Sequence, residues 1–263
     1  MKTKKNVSMV IIFMIGCCSL FSYGQEEKPE SQTFLVWDEI VKPSKVAEYE
    51  KAFNHAIDLW KEYSYRYPLY VFNTEDFHYY FAIPIKSLDD IDDVFAASEE
   101  LAKKMGKEKY GEMHDMFSGT YEYAIPMIIY SRPDLSFIPK NMEENVEEVN
   151  FRYWGFCYGI PGLEKEIESA FKKFVELYSA NEIPNGWETY MGSIGTETPY
   201  YFYVESGKSQ SEFWNLIEEI NQKHPEMSKE AMNVWGKLLT SLRKFETKTG
   251  WFRPDLSYII NED

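Results

Sequence analysis

The sequence predicts an α+β protein built from two tandem βαββαβ modules whose antiparallel sheets face one another. Three observations carry this. The segment Arg132-Pro133-Asp134-Leu135-Ser136-Phe137-Ile138 recurs as Arg253-Pro254-Asp255-Leu256-Ser257-Tyr258-Ile259, and self-similarity at a fixed spacing marks repeated structure. Shorter matches keep the same order: Pro43 then Ala52-Phe53 is answered by Pro161 then Ala170-Phe171, and Tyr79-Tyr80-Phe81 by Tyr200-Tyr201-Phe202. Strand-like aromatic runs and helical apolar stripes also alternate in the same sequence in both halves.

Residues 1–24 precede the first module. Lys2, Lys4 and Lys5 lead into the apolar run Val10–Gly16, and Ser22-Tyr23-Gly24 places small residues before Gln25. That layout predicts a signal peptide and a mature, periplasmic or secreted chain starting at Gln25, because the run is too short to span a bilayer. The alternative is a lipoprotein anchored through Cys17.

The first module is expected over 33–138. Phe34 to Val41 is rich in aromatic and β-branched residues, as a strand requires. Val46, Tyr49, Phe53, Ile57 and Trp60 then fall on one helical face. Leu69 to Asn73 and Phe77 to Ile83 form a hairpin across a polar turn. Ser87 and Asp90 have capping-box spacing, which opens a second helix that Gly106 interrupts. Tyr110, Met113 and Phe117 make a third stripe. An acidic linker covers 139–149, and the second module spans 150–259 with the same parts. Its strands are Phe151 to Ile160, Trp187 to Ile194 and Tyr200 to Val204. Its stripes begin with Leu163, Ile167 and Phe171, its capping pair is Ser209 and Glu212, and its helix break is His224-Pro225.

This element order is the ferredoxin-like pattern, which leaves one sheet face bare for a second copy to cover. The chain resembles a fused form of the dimeric α/β barrel superfamily. That group includes antibiotic-biosynthesis-type monooxygenases, muconolactone-isomerase-like proteins, and the haem-binding chlorite dismutases and dye peroxidases. The resemblance lies in element order and duplication over 33–259. It implies a pseudo-dimer within one chain, monomeric as a whole, and chemistry that is either cofactor-independent or haem-dependent. It transfers no functional residue.

A net charge of −15 repels phosphate backbones and anionic headgroups, so nucleic acid is excluded as a partner. No stretch after the leader is long and apolar enough for a transmembrane helix. Cys157 is the one cysteine left after residue 24 and reads as a buried, inert thiol. Arg132 and Arg253 are shared by both halves, so they read as turn-forming residues rather than ligand contacts. A polar residue present in one half only is the better site candidate.

On that filter His114 is the leading candidate, catalytic or ligand-binding. Its helical phase places it beside Tyr110 and Met113 at the edge of the apolar face, and its counterpart is Gly236. His78, Tyr80 and Tyr201 are the further ligand-binding candidates, on aromatic strands. His55 and His224 read as surface residues. No second His, Cys or carboxylate sits at metal-ligand spacing from His114 on its face, so no metal and no cofactor is expected, with haem the one open alternative through His114. Twenty tyrosines suit an aromatic cavity. The main expectation is therefore an exported, non-catalytic binding protein holding a small-molecule ligand between the modules. Its alternatives are a dimeric-barrel enzyme and an interaction protein.

Overall fold

The computed structural model describes residues 30–139 and 149–260. The proposed signal peptide, and nearly all of the acidic linker, lie outside the described residues. The first half runs β1 Thr33–Val41, α1 Val46–Glu62, β2 Tyr70–Thr74, β3 His78–Ile85, α2 Asp90–Met105, α3 Lys107–Asp115 and β4 Tyr121–Ser131. The second runs β5 Phe151–Gly159, α4 Glu164–Ala180, β6 Trp187–Gly192, β7 Tyr200–Gly207, α5 Gln210–Lys223, α6 Pro225–Thr240 and β8 Leu242–Phe252.

Local chemistry explains the element ends. Gly106 adopts φ +80°, a region L side chains avoid, and so separates α2 from α3. Pro225 opens α6 after α5 has ended, at a position where its missing N–H costs nothing. The two capping pairs differ. Ser209 Oγ accepts from Glu212 N at 3.2 Å, a true N-cap. In the first half it is the Asp90 carboxylate that accepts, from Lys86 N at 2.6 Å and Ser87 N at 3.2 Å.

All strand pairs are antiparallel, and they close into one eight-stranded barrel in the order β1-β3-β2-β8-β5-β7-β6-β4. The facing sheets expected from the sequence are thus joined edge to edge. Short seams at β2/β8 and β4/β6 supply the missing hydrogen bonds that bare edges would leave. Alternate residues point into the lumen, where Phe34, Val36, Phe72, Trp154, Phe156 and Phe202 meet. The others face the helices. Val71, Tyr79, Phe81 and Ile83 pack on α1, and Cys157 and Tyr201 pack near α4 and α6.

The repeated Arg-Pro-Asp-Leu-Ser turns work across the halves. Arg132 forks onto Asp134 at 2.8 and 2.9 Å and donates to Glu168 of α4 at 2.7 Å. Arg253 forks onto Asp255 and donates to Glu50 of α1 at 2.5 Å. Ser136 Oγ accepts from Thr189 N of β6, and Ser257 Oγ from Val71 N of β2. Leu135 is buried in the second half's core and Leu256 in the first half's, both with no exposed surface. Each half therefore seats its tail in the other. Leu256→Ala is expected to cost about 2–4 kcal/mol, the usual range for a fully buried leucine. Because the tails are exchanged, urea unfolding should stay a single transition with a lower midpoint. Two resolved transitions would show that the halves unfold independently.

Candidate active site

Helices α4 and α6 stand away from the outer face of the second half's sheet, leaving a pocket of about 430 Å³. Its sheet side is formed by Tyr153 of β5, Trp187 of β6, Tyr203 and Glu205 of β7, and Phe245 of β8. Its helix side is formed by Phe171, Phe174 and Tyr178 of α4 and by Met227, Ala231 and Trp235 of α6. Strand alternation delivers these residues: Tyr203 and Glu205 share a face, and Trp187 and Tyr153 lie opposite Glu205 on the flanking strands. Gly155 is required beneath them, since a Cβ there would collide with the Tyr203 ring. Met232, 69% exposed, and Asn221 mark the mouth.

Glu205 is the one ionisable carboxyl in this lining, and no lysine or arginine joins it. Among the described residues its hydrogen-bond partner is Asn185, whose buried amide Nδ2 donates to Oε2 at 2.6 Å. Burial pushes the carboxyl up to about 7, against the lowering effect of that amide. Tyr178 is pushed up to about 12 by burial and by Glu205, and burial takes Tyr203 well above its ordinary value. At neutral pH the pocket presents neutral aromatic walls and a single carboxyl poised to take or give a proton.

Among the described residues, the matching layer of the first half is filled by buried side chains. Where β5 and β7 pair Tyr153 with Glu205, β1 and β3 pair Leu35 with Ile83, which pack with Phe53, Ile57 and Phe81 into solid core. The phenols fix this correspondence: Tyr79 donates to Glu50 at 2.6 Å as Tyr201 donates to Glu168 at 3.1 Å. Tyr79 therefore answers Tyr201, one residue off the match read from the sequence. A one-residue slip in a strand exchanges the two faces, so the polar change from Ile83 to Glu205 was hidden.

The sequence-named residues scatter. His114 is exposed, with its ring edge-on to Tyr110 at 4.5 Å, which corrects the expectation of a buried ring. Helix α3 ends at Asp115, so Phe117 is not on that helix and does not set its phase; Met113 is the residue of α3 that is buried. Tyr110 and Met113 pack against α1 and α2, away from both cavities. Tyr201 serves the clasp on Glu168 and lines neither cavity. His78 faces the lumen end, with Nδ1 at 2.8 and 3.0 Å from the Asp38 carboxylate. Tyr80 stacks on His78 and is the one candidate that lines the lumen cavity. Cys157 is fully buried, and burial pushes its thiol up to about 12, an inert state.

Haem does not fit this donor set. No imidazole or thiolate lines either cavity, the pocket tyrosines are held protonated, and no cation lines the helix–sheet pocket to meet propionates. Among the described residues no group of three His, Cys, Asp or Glu side chains could hold a metal ion.

No protein-family model matches the chain, and no curated protein matches it in sequence. Solved structures do. An anthrone oxidase-like protein superposes with a TM-score of 0.56 at 12% identity, covering 86% of this chain and 92% of its own. A putative monooxygenase from Lactobacillus acidophilus gives 0.50 at 9% identity, covering 89% and 100%. The chain has the dimeric α/β barrel fold. At such identities the likeness is one of fold. The expectation of a non-catalytic binding protein is corrected at this point. The barrel's structural neighbours carry enzyme descriptions, and the larger space is a helix–sheet pocket with a titrating carboxyl rather than a cavity between the halves. Among the described residues no helix is long and apolar enough to cross a membrane.

The raised carboxyl has a thermodynamic signature. Glu205 holds its proton more tightly folded than unfolded, so its contribution to stability falls as pH rises from about 4.5 to about 7 and stays low above that. Glu205→Gln is expected to stabilise the protein by on the order of 1–3 kcal/mol at pH 8 and by little at pH 4. Equal effects at both pH values in thermal unfolding would contradict the assignment.

Proposed function

We propose that the protein is an enzyme of the dimeric-barrel type, cofactor-independent, in which Glu205 removes a proton from an uncharged aromatic substrate. The observation that carries this is a carboxyl poised near pH 7 at the floor of an aromatic pocket, held by one amide. A base is most effective with a pKa near the working pH. The Asn185 amide stabilises the ionised form and fixes the carboxyl plane. The volume, near 430 Å³, suits a ring system stacked among Trp187, Tyr178 and Trp235. The absence of a cation in the lining favours a substrate that enters neutral.

The descriptions of the fold relatives supply the second half of the reaction, with dioxygen as co-substrate. Proton loss from an activated CH2 group to Glu205 gives a delocalised carbanion. Electron transfer to dioxygen and oxygen insertion then yield a carbonyl and water, so that CH2 and O2 balance C=O and H2O. The neutral aromatic walls shield the carbanion from protonation by water.

The finer architecture belongs to the same proposal. We read the halves as tandem ferredoxin-like modules over about 33–138 and 150–259, a pseudo-dimer acting as a monomer with one working site, exported through the leader.

Oxygen consumption with an anthrone is the direct test. Glu205→Gln should lower kcat by 10²–10⁴-fold, the usual worth of a general base. Wild-type kcat/KM should rise with pH through about 7, as the carboxylate form of Glu205 becomes available. A flat profile, or turnover surviving in the variant, would remove Glu205 from the reaction.

A further inference from the structure

The barrel lumen holds a second space that the reaction at Glu205 does not use. It measures about 120 Å³, close to the ~150 Å³ of an engineered apolar cavity that binds benzene. One basic and one acidic side chain line it, Arg152 and Glu188. Arg152, 3% exposed, donates from Nη1 to Val149 O at 2.5 Å and to Phe151 O at 2.9 Å. Glu188 accepts from the Tyr190 hydroxyl at 3.3 Å. Glu188 acts on Arg152 through space, and no ion pair joins Arg152 to a carboxylate among the described residues. Two opposite charges share one apolar chamber without closing on each other.

We propose that the lumen is a binding chamber for a short monocarboxylic acid whose carboxyl group bridges Arg152 and Glu188. Its apolar body would pack among Phe72, Trp154 and Phe202. Charge balance selects this class. An anion beside Arg152 and an ionised Glu188 would leave a net negative charge in a medium that penalises it. Protonating Glu188 restores neutrality. That step is cheap, because burial already pushes this carboxyl up to about 7. The protonated Glu188 then donates to the bound carboxylate, and the guanidinium donates to it from the other side. The volume limits the body to roughly four carbons or one small ring. Glu188 and Glu205 lie on opposite faces of the sheet, so this site stands whether or not Glu205 is the base.

Calorimetric titration of the full chain with butyrate at pH 7, in two buffers of different ionisation heat, tests the chamber. Butyrate should bind with uptake of about half a proton, since Glu188 is about half ionised there. Butyramide, which has the shape without the charge, should bind at least tenfold more weakly. Glu188→Gln should keep butyrate binding and abolish the proton uptake, and Arg152→Gln should weaken binding at least tenfold. Glu205→Gln should change neither quantity. No butyrate binding up to ~10 mM, as expected of a chamber filled by water alone, would overturn the proposal. Equal binding of butyramide, or proton uptake persisting in Glu188→Gln, would do the same. If Arg152→Gln does not fold, the proton count in Glu188→Gln decides.

Discussion

The structure depends on the reciprocal exchange of two short tails. Each Arg-Pro-Asp-Leu-Ser turn leaves its own sheet, forks an arginine onto its own aspartate, and reaches a glutamate on the other half's first helix. The leucine that follows fills the other half's core. An antiparallel sheet with helices on one face cannot bury its second face alone. Closure into a barrel solves that, but each seam is one strand pair of only three paired residues. The exchanged leucines and the paired arginines fix the halves in register, where the seams alone would hold them weakly.

That constraint frees one half to change. With the lumen and the tails holding the barrel, the helix–sheet layer of the second half need not be packed to completion. The first half keeps Leu35 and Ile83 there, and the second has Tyr153 and Glu205 in the same paired positions. Burial of a carboxyl with a single amide partner is a stability cost. It is also what brings the group to neutral pH, so stability and reactivity pull against each other at one residue.

Most of the architecture was legible in the sequence. The repeated heptapeptide, the doubled strand and helix stripes, and the breaks at Gly106 and Pro225 all mark features the structure contains. The closure was not legible, because seam pairing depends on edges that carry no special residues. Two particular features conceal the site in the sequence. The Tyr-Tyr-Phe match lies one residue out of the structural register, and in a strand one residue exchanges core face for lumen face. His114 and Phe117 lie on either side of the end of a nine-residue helix, so they share no helical phase. A polar residue in one half where the other is apolar does mark the site. In the register set by the clasp phenols, that residue is Glu205, at the position Ile83 holds in the first half.

The central claim is that Glu205 titrates near neutrality because the pocket desolvates it. Carbon-13 NMR of glutamate side-chain carboxyls across pH 4–9 measures this directly, with Glu205→Gln assigning the resonance. A midpoint near 7 is expected, moving higher in Asn185→Leu, where the amide that stabilises the carboxylate is lost. A midpoint near the ordinary value of 4.5, unmoved by loss of Asn185, would contradict the account.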